Sequence, residues 1–171
     1  MAQPAQRRRF GRSIVSAAVV VVAVLPTAAG RAQGGDAPPA KDTIFARKTV
    51  MDTIGSNMDQ LEEMLEPGGK LDVADAREHL DAISVLLQAF PHLFPAATNQ
   101  WQAGASRDPA YDTFAAPAIW SNFPDFYARA MTGSKAALDA SRTTKMVEFK
   151  GKVAELRSTC DGCHALYMKA E

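Results

Sequence analysis

The chain has 171 residues, of which 19 are basic, 19 are acidic and 47% are hydrophobic. The first 32 residues hold five of the basic residues and no acidic one, which leaves 14 basic and 19 acidic residues and a net charge of −5 in the remainder. That balance argues against nucleic acid and anionic membranes as partners, and the length suits one domain.

The N-terminal segment has the three parts of a secretory signal peptide. A basic stretch that contains Arg7, Arg8, Arg9 and Arg12 precedes an apolar run over residues 14–25, and small residues follow. The run is about a dozen residues long, whereas a helix needs roughly 20 to cross a bilayer, which argues against an uncleaved anchor. We predict a signal peptide over residues 1–32, cleaved within 28–33, and export to the periplasm. Residues 33–41 are predicted to form a disordered leader.

Apolar residues recur at steps of three and four along the mature chain, which predicts helices and no strand. The first helix is expected over about 42–65 and ends before the Pro67-Gly68-Gly69 turn. The second is expected from Asp72, a good N-cap, to Phe90, where Pro91 stops it.

The third helix is expected to begin near Ser121 or Asn122 and to continue to about Ser141, with Gly133 as a weak point. The fourth is expected from about Thr144 to Lys169. Inward-facing residues are predicted to be Phe123, Phe126, Tyr127, Ala130 and Leu138 in the third helix, and Met146, Phe149, Val153, Leu156, Cys160, Cys163 and Tyr167 in the fourth.

Residues 91–120 contain four prolines and no long helical pattern. A connection of this length is expected to cross one end of a bundle and to pack its aromatic and aliphatic residues onto it. The predicted fold is therefore an all-α, antiparallel four-helix bundle over residues 42–171, with a long connection between the second and third helices. The packing residues of the connection are expected to be Phe94, Trp101, Phe114, Ile119 and Trp120.

The sequence Cys160-Asp161-Gly162-Cys163-His164 is the attachment signature of c-type haem. Residues three apart share one face of a helix, so two thiols at this spacing can each add to one of the two vinyl groups of a porphyrin. His164 follows about 100° further round the helix, where its imidazole can bind the iron as the proximal ligand. We therefore predict one covalently attached haem c.

Other readings of the two cysteines are weaker. A disulfide would close too short a loop to restrain the unfolded chain. A redox dithiol normally lies at a helix N-terminus after a strand, whereas this pair lies late in a helix. A zinc site would need further ligands, for which His79 and His92 lack zinc-finger spacing. A chance match in a solvated tail is the remaining alternative.

The chain resembles the cytochrome c′ and cytochrome c-556 family, the class II c-type cytochromes. The resemblance covers nearly all of the mature chain and includes a haem motif close to the C-terminus. Its other marks are Arg47-Lys48-Thr49-Val50-Met51, Leu93-Phe94-Pro95 and Pro117-Ala118-Ile119-Trp120, of which the last two look more like the c-556 branch.

The resemblance implies roles for two residues of the first helix. Arg47 matches an arginine that lies near a haem propionate, and Met51 matches the position that faces the distal side of the iron. In the c-556 branch a methionine there binds iron, whereas in the c′ branch the residue fills the pocket and the iron stays five-coordinate. Met58 lies on the same helix face and is the weaker candidate for a ligand. Met168 departs from the basic residue that many members carry four positions after the haem histidine.

Single-electron transfer to soluble or membrane-bound redox partner proteins is the predicted function, with His164 and Met51 as iron ligands. The alternative is a five-coordinate binder of nitric oxide or carbon monoxide, two diatomic gases. The chain is not expected to be an enzyme, since His79 and His92 read as surface or loop residues rather than as part of a peroxidase-like distal pair. A homodimer is expected from the resemblance alone.

Overall fold

The computed structural model describes residues 37–104 and 112–169. Within them lie five α-helices, two 3-10 turns and one isolated bridge between Ala115 and Met168. The helices are α1 (Ala40–Glu63), α2 (Val73–Ala89), α3 (Ala118–Ser121), α4 (Phe123–Ala140) and α5 (Met146–Tyr167), and the 3-10 turns are Phe90–Leu93 and Ala96–Thr98. The predicted signal peptide and the first part of the predicted leader fall outside the described residues.

The start of α2 agrees with its predicted capping residue, whereas the start of α1 differs slightly from its predicted position. Asp72 caps α2 as predicted, since its carboxylate accepts hydrogen bonds from the backbone N–H of Ala74 (3.0 Å) and Asp75 (3.2 Å). α1 begins at Ala40, two residues before the predicted start at about residue 42 and inside the predicted leader. Asp42 lies in the first turn instead, where its negative charge favours the positive end of the helix dipole.

The turn between α1 and α2 depends on two glycines. Gly68 has a φ of +91°, a conformation that residues with a side chain rarely adopt. A Cβ on Gly69 would lie 2.5 Å from the backbone oxygen of Met64. The short turn forces α1 and α2 to run antiparallel as neighbours.

The long helices form an antiparallel bundle in which α1 packs on α2, α2 on α4 and α4 on α5. Two hydrogen bonds show the antiparallel register between α2 and α4. The Arg77 guanidinium donates to the backbone oxygen of Ser141 (3.3 Å), and the hydroxyls of Ser84 and Ser134 lie 3.0 Å apart. The predicted four-helix fold is therefore confirmed.

The inward face of α4 differs from the prediction. Phe123, Tyr127 and Leu138 are 37%, 39% and 39% exposed, whereas Phe126 and Ala130 are buried as expected. The buried residues that follow Ala130 along this face are all small, so small side chains let α4 approach its neighbours closely. They are Gly133, Ser134, Ala137 and Ala140.

The core has two parts. The first core cluster joins α1, α2, α4 and α5, and the aromatic cluster lies where the long connection crosses the bundle. Val50 and Met51 of α1 pack against both clusters. The first core cluster contains Ile54, Met58, Leu61, Ala76, Leu80, Ile83, Leu87, Ala136, Ala137, Ala140, Phe149, Val153 and Leu156, and the aromatic cluster contains Phe90, Phe94, Ile119, Phe126 and Tyr167.

The long connection packs on one end of the bundle, as predicted. Phe94 and Ile119 are buried there, and Trp120 is half-buried. Backbone hydrogen bonds also tie the connection to the end of α5, from Ala116 N–H to Tyr167 O (2.9 Å) and from Lys169 N–H to Phe114 O (2.7 Å). Trp101 and Phe114 are only partly buried.

Candidate haem site

A cavity of about 410 Å³ opens between α1 and α5, where the two core clusters meet. The contacts between these two helices are far fewer than those between neighbouring helices of the bundle. The five residues that the sequence singles out all line this cavity: Arg47, Met51, Cys160, Cys163 and His164. Sequence positions more than a hundred residues apart therefore meet at one site.

The α5 helix presents both thiols to the cavity along its inward stripe. Cys160 packs against the first core cluster and Cys163 against the aromatic cluster. His164 is half-buried and lies in the cavity wall. The predicted periodicity of this helix is confirmed, because Phe149, Val153, Leu156 and Tyr167 on the same stripe are buried.

Both thiols are free and lie in an apolar setting that favours their protonated form. Burial raises the pKa of Cys160, and it raises the pKa of Cys163 to about 11. A redox dithiol needs the opposite shift, which the N-terminus of a helix supplies, whereas Cys160 and Cys163 lie in the last turns of α5. The location and the electrostatics both disfavour thiol redox chemistry.

The two histidines considered as zinc ligands lie elsewhere. The imidazole Nδ1 of His79 is 2.8 Å from the side-chain oxygen of Asn57, which joins α2 to α1. The ring of His92 is 6.2 Å from that of Tyr127 and is exposed. Neither lines the cavity, and over residues 37–104 and 112–169 no group of three His, Cys, Asp or Glu side chains could hold a metal ion.

The α1 wall of the cavity carries Met51 and, one turn later, Gly55. A Cβ on Gly55 would have no atom within 4 Å, so this glycine leaves space directly beside Met51. Met58 also reaches the cavity but is 1% exposed and belongs to the first core cluster, whereas Met51 packs against both clusters. Gly55 was not predicted as a site residue. Its position one helical turn after Met51 could have indicated it, because residues four apart lie on the same face of a helix.

Further cavity residues were also missed. Leu87, Phe90 and Phe126 form an apolar wall from α2, the turn after it and α4. Arg157 lies beside Cys160 and pairs with Glu62 of α1 at 2.7 Å. The local pattern predicts that Phe126 faces inward, but it does not show that these residues meet at one cavity, because their approach depends on how the helices pack.

A hydrogen-bonded group joins the start of α4 to the last turn of α5. The hydroxyl of Tyr167 donates to Asp125 (2.5 Å), Arg129 donates to the same carboxylate oxygen (2.7 Å), and Arg129 also lies in the cavity wall near Cys163. The Tyr167 hydrogen bond and then that of Arg129 lower the pKa of Asp125.

The low pKa of Asp125 predicts how the stability of the protein depends on pH. A carboxylate whose pKa is depressed by folding stabilises the protein above its unfolded value of about 3.9, and that contribution is lost as the pH falls through the folded value. The difference in unfolding free energy between wild type and Asp125→Asn should therefore be constant above about pH 5 and should shrink below about pH 4. Urea unfolding across this range measures it, and a difference that is independent of pH would contradict the assignment.

The family model described as cytochrome c′ matches residues 42–168. The chain belongs to the cytochrome c′ family. A cytochrome c-556 of Agrobacterium fabrum is 31% identical over 131 residues, which cover 75% of this chain and 82% of that protein. A cytochrome c′ of Pararhodospirillum photometricum is 28% identical over 125 residues, which cover 71% and 91%. The solved cytochrome c′ of Rhodopseudomonas palustris superposes with a TM-score of 0.67 at 26% identity, covering 76% of this chain and 98% of that one.

The cytochrome c′ family binds covalently attached haem c, and the predicted family and cofactor are confirmed. The residues present fit that group. Two free thiols three residues apart face an apolar cavity, a histidine stands next to them, and Gly55 leaves open space on the facing helix.

Proposed function

We propose that this chain is an exported cytochrome that carries single electrons on one haem, held by Cys160 and Cys163 and ligated by His164 and Met51. Members of the family are electron carriers or gas binders and are generally not enzymes. The observation that carries the proposal is that Met51 on α1 and His164 on α5 line the same cavity from two helices that lie apart.

The cysteines would attach the cofactor without any oxidant. Each S–H would add across a vinyl C=C bond, so that sulfur would bond one carbon and the hydrogen would go to the other. The spacing of Cys160 and Cys163 on one face of α5 suits two such bonds. The iron of bound haem supplies the redox chemistry by gaining or releasing one electron.

Met51 and His164 would complete the iron ligation. Imidazole nitrogen and thioether sulfur are known iron ligands in c-type haem proteins, and the sulfur of Met51 would raise the reduction potential. Similar ligation in both oxidation states would keep rearrangement small, which suits fast electron transfer. Met51 is favoured over Met58 as the second iron ligand because Met51 packs against both clusters. The two cysteines also span both clusters, since Cys160 packs against the first core cluster and Cys163 against the aromatic cluster.

A second candidate function is the five-coordinate binding of nitric oxide or carbon monoxide. It is favoured by the space that Gly55 leaves next to Met51 and by the apolar wall of Leu87, Phe90 and Phe126. A diatomic ligand needs such a vacant, apolar distal position. Here Met51 would fill the pocket without binding iron.

Optical spectra of the ferric and ferrous protein decide between the two candidates. For electron transfer we expect a sharp low-spin spectrum, with a weak band in the red from the Fe–S bond. Met51→Leu should abolish that band, and the matched control Met58→Leu should retain it. A high-spin wild-type spectrum with rapid carbon monoxide uptake, unchanged by Met51→Leu, would contradict Met51 ligation and support the gas binder.

The family and the charge support export of this chain and redox proteins as its partners. The family is periplasmic in general, and no helix of residues 37–104 or 112–169 has the length and apolar character needed to span a membrane. We propose that residues 1–32 direct export and are then cleaved. The acidic mature chain would exchange electrons with soluble or membrane-bound redox proteins. One solved cytochrome c′ shows a ligand-controlled dimer dissociation, and a homodimer stays a prediction for this chain.

A further inference from the structure

Arg47 is a buried cation in the wall of the haem cavity. It is 4% exposed, and a buried guanidinium is costly unless its N–H groups find acceptors. One terminal nitrogen donates to the Thr98 hydroxyl (2.9 Å), and the other donates to the Thr98 backbone oxygen (3.2 Å) and to the Thr113 hydroxyl. These bonds use three of its five N–H groups.

Both threonines are themselves held in place. The Thr98 hydroxyl donates its hydrogen to the backbone oxygen of Pro95 (2.8 Å), which leaves its lone pairs for Arg47. The Thr113 hydroxyl accepts a hydrogen bond from the backbone N–H of Ala115 (3.1 Å). Both residues are buried, so the acceptors are fixed by the long connection rather than by chance surface contacts.

Two aromatic rings restrict the guanidinium further. Its central carbon lies 4.7 Å from the ring centre of Phe94 and 5.7 Å from that of Trp120. The indole N–H of Trp120 donates to the backbone oxygen of Phe94 (3.0 Å), which joins the two rings through the connection. The guanidinium is therefore held by rings and hydroxyls that all belong to the segment between α2 and α4.

We propose that Thr98 and Thr113 are positioning residues that fix the charge of Arg47 against the haem cavity and thereby set the reduction potential. The inference rests on the proposed function in so far as it requires bound haem. A cation held in a low-dielectric wall favours the reduced iron, which carries one positive charge less. Without the hydroxyls the guanidinium can turn towards water, where its charge is screened.

The charge of Arg47 persists at neutral pH. Burial lowers the pKa of Arg47 to about 10, which still leaves the group protonated. Loss of the two threonine hydroxyls therefore moves the charge of Arg47 without neutralising it.

The test is a redox titration of the haem-loaded protein with a double-mutant cycle. Arg47→Gln should lower the equilibrium constant for one-electron reduction about tenfold, which is about 59 mV. Thr98→Val with Thr113→Val should lower it about threefold, or about 28 mV, and should have no further effect when Arg47→Gln is present. The matched control, Thr98→Ser with Thr113→Ser, keeps both hydroxyls and should leave the potential unchanged.

Two results would overturn this inference. One is a potential that does not change in the valine double variant, and the other is an equal fall in the Arg47→Gln background. If the double variant does not accumulate, Thr113→Val alone is measured against Thr113→Ser by the same cycle. The potential can be measured whether or not Met51 binds iron, so failure of Met51 ligation leaves this test intact. A colourless polypeptide would contradict both proposals.

Discussion

A chain with Cys160→Ser and Cys163→Ser should lose all covalently attached haem. Serine hydroxyls do not add to vinyl groups under conditions in which thiols do, and the described cysteines are these two alone. Haem bound by His164 and Met51 without thioether bonds would dissociate on denaturation. Haem staining after denaturing electrophoresis measures the loss, which should be complete.

Single variants and a neighbouring control sharpen this result. Cys160→Ser and Cys163→Ser should each retain one thioether bond and show a ferrous spectrum shifted by one remaining vinyl group. Ser158→Ala, an exposed substitution on the same helix, should retain full haem content. Full covalent loading of the double serine variant would contradict the assignment of the two attachment residues.

Replacement of Phe126 by alanine should lower the free energy of unfolding by about 3–5 kcal/mol. Phe126 is 2% exposed, and its ring lies 4.8 Å from Phe94, 5.3 Å from Tyr167 and 6.1 Å from Phe90, measured between ring centres. Its removal leaves a void at the centre of the aromatic cluster and beside the haem cavity. Urea unfolding of the haem-loaded variant, at constant m-value, measures the effect.

Phe123 provides the matched control for this substitution. Its ring is 6.0 Å from that of Phe126, but its side chain is partly exposed at the edge of the cluster. We expect Phe123→Ala to cost well below half as much as Phe126→Ala, because less apolar surface is lost from the core. Equal losses would mean that the aromatic cluster extends over Phe123 in solution and that the buried face of α4 is misassigned.

The last helix and its motif were predictable from sequence because the relevant spacing is local. Cys160 and Cys163 continue the stripe of Phe149, Val153 and Leu156, and a helix places residues at these steps on one face. The side of α5 that meets the cavity could therefore be inferred before any packing was known. The N-cap at Asp72 was predictable for the same reason, since its hydrogen bonds reach only two and three residues ahead.

The buried face of α4 was not predictable from hydrophobicity. Hydrophobicity predicts that Phe123, Tyr127 and Leu138 face inward. The face that packs on α2 and α5 instead carries smaller residues such as Gly133 and Ala137. A Cβ on Gly133 would lie 3.1 Å from Leu87 and 3.6 Å from Thr159, so the glycine permits a close approach of three helices. The expectation that Gly133 is a weak point overlooked this packing role.

Local sequence patterns could not predict the residues that surround Arg47. Its partners Thr98 and Thr113 are 51 and 66 residues away in the chain. Both lie in the long connection, whose path over the bundle no periodicity encodes. The resemblance to the family supplied a role for Arg47, and only the packed structure supplies the residues that hold it.

The central claim is that Cys160 and Cys163 attach one haem between α1 and α5, and intact mass spectrometry of the mature protein tests it most directly. The protein should be produced in a host that assembles c-type cytochromes and then denatured in acid before the measurement. We predict a mass equal to the processed polypeptide plus one haem, with the added mass on the peptide that contains Cys160 and Cys163. The mass of the polypeptide alone would contradict this account.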